Sequence, residues 1–302
     1  MTSSDGGPSG LVVIDKPSGP TSHDVVGRVR RLLHTRRVGH AGTLDPMATG
    51  VLVVGVNRAT RLLGRLALHD KEYEATIRLG QATTTDDAQG TVLSAPGAAE
   101  VSPGRLADAM AALTGDIAQR PSAVSAIRVD GRRSYERVRA GENVELPARP
   151  VRVSRFDLLG RAEAEVDGLP VIDLDVRVEC STGTYVRALA RDLGAALGTG
   201  GHLTRLRRTR VGSFRSADAQ PLPEPDVAAG LAVIDLDRAA RRCFGSLDLD
   251  AERADDVTHG RALRGLILPA DPTALFGPDG RFLALYRQDG ADARPEAVFV
   301  SA

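Results

Sequence analysis

The sequence predicts an α+β protein with a mixed sheet, flanking helices and a small β-rich C-terminal domain. Segments with strand patterns and segments with amphipathic helix patterns follow one another without the strict alternation of a doubly wound parallel sheet. The proline-rich stretch Pro221–Pro225 then separates this region from a tail with short apolar segments. With 302 residues, the chain is long enough for one large domain or two smaller ones.

Apolar periodicity and turn residues place the individual elements. Val25, Val26 and Val29 recur on one helical face behind a Thr21 or Ser22 N-cap, and Val51–Val56 is a continuous apolar run typical of a buried strand. The other predicted elements of the main region are a strand at Leu11–Ile14, a helix at Ala59–Leu68, a strand at Tyr73–Leu79, a helix at Gly104–Leu113, strands at Val151–Leu159 and Val171–Cys180, a helix at Tyr185–Leu197 capped by Thr182 or Thr184, and a basic strand at Leu203–Phe214. In the tail we expect a helix at Ile234–Arg242 and short strands around Leu266–Leu268, Phe282–Tyr286 and Ala297–Val300.

These elements give a domain map. Residues 1–9 are rich in Ser, Gly and Pro and are expected to be disordered. Residues 10–220 form the main domain, which carries an arginine-rich insertion at 119–149 that is unusually long for a loop. Residues 221–245 form a linker and a helix, and residues 246–302 form the small C-terminal domain.

The charge of the chain is zero overall but unevenly distributed. Lysine plus arginine total 39, as do aspartate plus glutamate. Residues 10–65 carry nine basic and three acidic residues, 119–155 carry nine and four, and 177–215 carry eight and two. If folding brings these segments together, they form one positive face suited to a polyanion such as RNA. The alternative is three solvated surfaces that point in different directions.

Several classes of protein are excluded or disfavoured. The longest apolar runs are far shorter than a membrane span, and the N-terminal residues lack the pattern of a signal peptide, so we expect a cytoplasmic protein. Cys180 and Cys243 have no closely spaced partner, and no pair of histidines has a metal-binding spacing. A Walker loop, the GxGxxG pattern and the Gly-x-Ser-x-Gly elbow are all missing. We therefore expect neither a metal nor a cofactor.

Two segments carry candidate catalytic residues. Glycines punctuate Gly39–Gly50, and the proline that follows Asp45 biases that residue away from helix, so its carboxylate is expected to be held in place. The alternative is an ordinary Asp-Pro turn. Arg187 lies in the first turn of a predicted helix, where a cation is unfavourable unless a carboxylate or a phosphate lies nearby. The alternative is a solvent-facing side chain, paired with Asp192 or with nothing.

Taken together, these segments resemble the TruB family of RNA pseudouridine synthases over roughly Leu11–Phe214. The matching motifs, in order, are Asp15–Gly19, the complete loop Gly39–Gly50, Lys71–Tyr73, Arg78–Gly80 with Thr83, Thr85 and Asp87, Ser181–Arg187 leading to Asp192–Gly194, and Leu206–Thr209. The resemblance implies the largely antiparallel sheet of the pseudouridine synthase fold. It also implies a thumb-like role for residues 119–149 and a PUA-like RNA-binding module at 246–302. The insertion departs from the family pattern at Ser122, Val124 and Arg128, which leaves its RNA contacts open.

The resemblance also implies roles for individual residues. Asp45 corresponds to the catalytic nucleophile, Tyr73 to the aromatic residue that stacks on the target base, and Arg187 to the partner of the Asp45 carboxylate. Substrate-binding roles fall on Lys16, Pro17, His40, Thr43, Asp87, Arg139, Leu206, Arg207 and Arg208. The implied reaction isomerises uridine to pseudouridine in the T-loop of tRNA, at position 55, after the base is flipped out of its stack. It exchanges one glycosidic bond for another within the same atoms and requires no cofactor.

Two other functions stay open on the sequence alone. The chain could be a tRNA-binding folding helper, an RNA chaperone in which isomerisation is secondary. It could instead belong to the guide-RNA-dependent branch of the same fold, although the short tail disfavours that branch. The expected partner is the T-arm of tRNA, with no obligate protein partner and a monomeric state.

Overall fold

A computed structural model describes residues 7–122, 128–129, 132–133, 146–224 and 230–300. Most of the insertion predicted at 119–149, including Arg139, lies outside the described residues, as do residues 1–6. The chain divides into two compact units. The first contains Met1–Leu44, Leu52–Ala67 and Gly212–Ala302, and the second contains Asp45–Val51 and Leu68–Val211.

The first unit combines the N-terminal strands with the C-terminal part of the chain. Its strands are β1 (Gly10–Lys16), β2 (Val38–His40), the Leu52–Val56 part of β3 (Thr49–Val56), and, after the second unit, β13 (Phe214–Arg215), β14 (Gln220–Pro221), β15 (Ile234–Asp235), β16 (Gly245–Asp248), β17 (Thr273–Phe276), β18 (Phe282–Asp289) and β19 (Asp292–Val298). Its helices are α1 (Ser22–Leu32), α2 (Leu63–Leu66), α5 (Leu236–Cys243) and α6 (Ala251–Thr258), with 3-10 turns at Asn57–Leu62 and Ser216–Asp218. Strand β1 pairs with β14 in parallel and with β15 antiparallel, whereas β2 pairs antiparallel with β3.

Helix α1 begins as its sequence predicts. The Thr21 hydroxyl accepts a hydrogen bond from the Asp24 backbone N–H, and the Asp24 carboxylate accepts one from the Thr21 N–H. This capping box satisfies two of the N–H groups that a helix start leaves without partners. The valine face is buried, as expected.

Strands β16 to β19 form a four-stranded sheet in the order β16-β17-β18-β19. Apolar residues of α6 and of these strands make one core cluster around Val257, Leu275 and Tyr286. The strand predicted around Leu266–Leu268 is wrong. The Gln288 side chain occupies the backbone groups of that segment instead, because it accepts from the Leu268 N–H and donates to the Leu266 carbonyl.

The second unit is built on a mixed, largely antiparallel sheet, as predicted. Its strands are the Thr49–Val51 part of β3, β4 (Lys71–Leu79), β5 (Ala82–Thr83), β6 (Val92–Ser94), β7 (Gly115–Gln119), β8 (Arg128–Val129), β9 (Arg132–Arg133), β10 (Arg149–Val166), β11 (Leu169–Cys180) and β12 (Gly201–Val211), and its helices are α3 (Pro103–Ala112) and α4 (Val186–Leu197). The principal order is β3-β12-β4-β11-β10-β7. Only the β3–β12 pairing in this order is parallel.

Three elements differ in extent from the prediction, each for a local reason. The helix predicted at Ala59–Leu68 starts as a 3-10 turn, because Asn57 takes a left-handed φ of 52° and its carbonyl accepts from the Thr60 hydroxyl. Strand β10 runs well past Leu159, because Asp167 and Gly168 both take positive φ and close a long hairpin with β11. Helix α5 starts only at Leu236, because Asp235 is its N-cap.

Candidate active site

The residue before Asp45 is fixed by a buried serine. The Ser22 hydroxyl donates to the Leu44 carbonyl at 3.0 Å, and the Leu44 N–H donates back to the Ser22 hydroxyl at 2.8 Å. Downstream, the Ala48 N–H donates to the Asp45 carbonyl at 3.1 Å and closes a turn. Asp45 therefore stands on a constrained backbone.

The carboxylate of Asp45 is bound by both arms of the Arg187 guanidinium. Arg187 Nε donates to Oδ2 at 2.8 Å, and Nη2 donates to Oδ1 at 3.1 Å. A bidentate pair of this kind fixes direction as well as distance. The Arg187 side chain is 4% exposed, whereas that of Asp45 is 35% exposed. One partner is thus enclosed by protein, while the carboxylate keeps an accessible side on which a substrate can react.

Two further contacts of Arg187 tie it to the segment after β5. Its Nη1 donates to the Thr85 carbonyl at 2.8 Å, and Nε lies 3.7 Å from a carboxylate oxygen of Asp87. The Thr85 hydroxyl and the Gln89 N–H both donate to Oδ1 of Asp87, which is buried. Asp87 is therefore a second, internal carboxylate beside the guanidinium.

The start of α4 places Arg187 in this position. Neither Thr182 nor Thr184 caps the helix, which corrects the sequence prediction. Instead, the Tyr185 N–H donates to Oε1 of Gln119 at 2.8 Å, and Nε2 of Gln119 donates to the Tyr185 carbonyl at 3.1 Å. Because Arg187 is the second residue of α4, its charge lies at the positive end of the helix dipole, and the two carboxylates offset that cost.

Tyr73 lies on the buried face of β4 in the same unit. It is 7% exposed, and burial raises the pKa of its hydroxyl above the usual 10.0. A hydrogen bond from Arg208 and the charge of that guanidinium act in the opposite direction, and the Asp45 carboxylate also acts on the hydroxyl. The negative charge of Asp45 therefore contributes to the raised pKa of the Tyr73 hydroxyl.

The β12 residues of the predicted site take different positions. Leu206 is buried and pairs in register with Ala75 of β4. Arg207 is half-buried and lies opposite Glu74 of β4 in the strand register. Arg208 has no exposed surface, so its guanidinium does not face solvent where an RNA phosphate would lie, and its assignment to substrate binding needs revision.

Four predicted site residues belong to the first unit. Lys16 is fully buried, and its ammonium group donates to the carbonyl of Pro17, which is itself exposed. His40 ends β2 opposite Val54 and is half-buried, and Thr43 is exposed in the loop that follows. Arg139 lies outside the described residues.

Sequence reasoning assigned no role at the site to three supporting residues. Ser22 fixes Leu44, Gln119 orients the start of α4, and Lys71 is buried two residues before Tyr73. Lys71 is one of only two lysines in an arginine-rich chain, and this rarity is a signal that could have singled it out. Ser22 and Gln119 carry no comparable sequence signal, because their partners are distant in the chain.

Within the described ranges, no group of three or more His, Cys, Asp or Glu side chains converges as a metal site. None of the helices in the described part of the chain has the length and hydropathy that a membrane span requires.

Family models match two separate parts of the chain. A model described as TruB family pseudouridylate synthase (N terminal domain) matches residues 30–186, and one described as tRNA pseudouridine synthase II, C terminal, matches residues 244–300. Together with the mixed sheet and the aspartate–arginine pair, these matches define a pseudouridylate synthase. Within that class, the chain belongs to the TruB family.

Curated relatives match along their whole length. "tRNA pseudouridine synthase B" of Streptomyces griseus is 54% identical over 300 residues, covering 99% of this chain and 100% of the relative. The protein of the same name from Mycolicibacterium paratuberculosis is 55% identical, covering 96% and 97%. Among solved structures, an H/ACA RNP bound to a substrate RNA and a Cbf5-Nop10-Gar1 complex each contain a chain that matches with a TM-score of 0.67 at 25% identity. These matches cover 96% and 97% of this chain and 85% of each of those chains.

Proposed function

We propose that this protein isomerises uridine to pseudouridine in tRNA, at position 55 of the T-loop, with Asp45 as the nucleophile. The observation that carries the proposal is the bidentate Arg187 fork on a carboxylate that remains partly exposed. The full-length relatives named tRNA pseudouridine synthase B support tRNA as the substrate. Their identity to this chain is about twice that of the matched chain in the Cbf5-Nop10-Gar1 complex.

The reaction requires a charged carboxylate and a pocket for the base. Asp45 stabilises or captures the reacting nucleoside while the N1–C1′ bond breaks and the uracil turns. A C5–C1′ bond then forms, the proton on C5 leaves, and N1 gains a proton. Atoms and electrons balance without an oxidant or a co-substrate. Arg187 fixes the direction of the Asp45 carboxylate, because the guanidinium donates to both carboxylate oxygens.

The target uridine of a folded tRNA is stacked and must be extruded, which costs a few kcal/mol. In our proposal Tyr73 provides the aromatic face that receives the base, and Leu206 forms an apolar wall beside it. The substrate-binding roles that the family resemblance implies for Lys16, Pro17, His40 and Thr43 stay predictions. Asp87 orders Arg187 from the buried side.

Binding would rest on phosphate contacts from the basic segments, including Arg207 and Arg139. We propose that the protein acts in the cytoplasm as a monomer, without a guide RNA. The comparisons give no support to the RNA chaperone alternative.

The test uses an unmodified tRNA transcript, with pseudouridine detected by carbodiimide labelling and primer extension. Asp45→Asn should abolish product formation while tRNA binding persists, because the amide lacks the charge of the carboxylate. Asp116→Asn, on an exposed aspartate of β7 that pairs only with Arg152 in the contacts described here, is the matched control and should retain full activity.

A transcript with cytidine at position 55 should give no product with the wild-type protein. Product at another uridine of that transcript would contradict the position. Turnover by Asp45→Asn would refute the assignment of the nucleophile.

A further inference from the structure

Arg208 is a fully buried arginine for which the reaction described above has no use. It is the largest side chain in the described residues with essentially no exposed surface. Arginine is almost never fully buried unless its charge and its hydrogen-bond donors are matched by partners. Since a side chain in this position does not face solvent, its role has to be sought in the protein interior.

The strand pairing places Arg208 between two parts of the candidate active site. On one side β12 aligns Arg208 with Tyr73 of β4, and on the other it aligns Arg208 with Gly50 of β3. Arg208 Nε donates to the Val51 carbonyl at 2.8 Å, and the guanidinium also hydrogen-bonds to the Tyr73 hydroxyl. One side chain thus joins the tyrosine to the strand that begins four residues after Asp45.

The backbone contact at this point is unusually close. Gly50 has a φ of 100°, and a Cβ on it would lie 2.2 Å from the Arg208 carbonyl oxygen. Only glycine fits such an approach, so β3 and β12 are pressed together where Arg208 extends toward Tyr73. The backbone of Arg208 is therefore held against β3, while its guanidinium contacts the Val51 carbonyl and Tyr73.

The chemistry of the two groups fixes the direction of their hydrogen bond. A guanidinium carries donors only, so the Tyr73 oxygen must accept from it. The Tyr73 O–H therefore does not donate to Arg208. The charged and titratable groups that act on the Tyr73 hydroxyl are Arg208, Cys180 and Asp45, and of these only Arg208 lowers its pKa. Arg208 thus favours loss of the tyrosine proton, whereas burial opposes it.

We propose that Arg208 is a positioning residue that acts through Tyr73, holding the tyrosine hydroxyl in a fixed place and orientation at the flipped base. This inference rests on the role proposed for Tyr73 in the reaction. It replaces the contact with RNA that the sequence assigns to Arg208.

A double-mutant cycle tests the inference. Arg208→Lys keeps the positive charge but loses the planar fork, and Tyr73→Phe keeps the ring but loses the hydroxyl. Single-turnover rate constants at saturating tRNA and the corresponding KM values are measured for each variant and for the double variant. Arg161→Lys is the matched control, since Arg161 lies on β10 of the same sheet, outside the three basic segments, and pairs with Glu163.

Arg208→Lys should lower the rate constant roughly tenfold or more in the wild-type background, which is typical of two groups in direct contact. In the Tyr73→Phe background it should have little further effect, because the group through which Arg208 acts is already gone. Arg161→Lys should leave the rate unchanged in both backgrounds. Equal losses in the two backgrounds, or a rise in KM alone, would overturn the proposal.

A second measurement does not depend on turnover. In protein with isotope-labelled tyrosine, the Tyr73 ring signal is identified by its loss in Tyr73→Phe, since the chain has four tyrosines. Arg208→Gln should shift that signal and raise the pKa of Tyr73, and Arg208→Lys should shift it less. An unchanged Tyr73 signal in these folded variants would refute the inference. Activity in Asp45→Asn would refute the proposed nucleophile whatever the outcome of the cycle, so the two failures are distinguishable.

Discussion

The buried ammonium group of Lys71 makes the stability of this protein depend on pH above neutrality. Lys71 is 6% exposed, and its Nζ donates to the His69 carbonyl at 2.7 Å. Burial, with a smaller contribution from the Arg208 charge, lowers the pKa of Lys71 from its usual 10.5 to about 8. Below pH 8 the folded and unfolded chains both hold the proton, and the full cost of burying the charge applies.

Between pH 8 and 10.5 the folded protein releases this proton while the unfolded chain still holds it. The unfolded state then binds more protons, so this group makes the free energy of unfolding rise with pH. At about 1.36 kcal/mol per pH unit, the rise across the window is about 3 kcal/mol. Above pH 10.5 both states are neutral at this site and the cost has disappeared.

Urea denaturation of the wild type and of Lys71→Met from pH 7 to 10.5 measures this contribution. Burial raises the pKa of Cys180 to about 11 and that of Tyr286 to about 12. The unfolded chain therefore releases these protons first, and the free energy of unfolding falls as the pH rises. Both proteins contain these groups, so the difference in unfolding free energy between the two proteins reports Lys71 together with its electrostatic coupling to Cys180. That difference should change by about 3 kcal/mol in favour of the wild type. A difference that stays constant over this range would refute the reasoning, and Gly27→Ala, whose effect should not vary with pH, is the control.

Four further outcomes are expected. Gly194→Ala should unfold at much lower urea than the wild type, because its Cβ would lie 2.2 Å from the Gly200 backbone, whereas Gly27→Ala, with open space at the new Cβ, should gain about 1 kcal/mol in the same assay. Gly50→Ala should lower both the melting temperature and the isomerisation rate, because β3 can no longer approach Arg208; a normal rate would contradict this. Arg187→Met should lose turnover and about 3 kcal/mol of unfolding free energy at pH 7, since two carboxylates lose their cation; a stable, active variant would show that the pair is dispensable. The affinity for tRNA in a filter-binding titration should fall steeply with salt, and a flat response would contradict phosphate binding by the basic segments.

Strands and helices with a strong internal pattern could be predicted from the sequence. The alternation in β4 and the Thr21 capping box of α1 are local signals, and the structure has both. The prediction failed where a distant side chain replaces the local partner, as Gln119 does at the start of α4 and Gln288 does beside Leu266 and Leu268. A sequence pattern contains no information about a partner that approaches from elsewhere in the fold.

The chemical identity of the candidate site was determined by the sequence alone. The glycine-punctuated loop that holds Asp45 and the helix start that carries Arg187 are local features, and each can be predicted from a short segment of the sequence. Tertiary structure alone decided that these two side chains, 142 positions apart, meet at 2.8 Å. It also decided that Arg208 can be buried, because its guanidinium finds an interior partner in the Val51 carbonyl, 157 positions away in the chain.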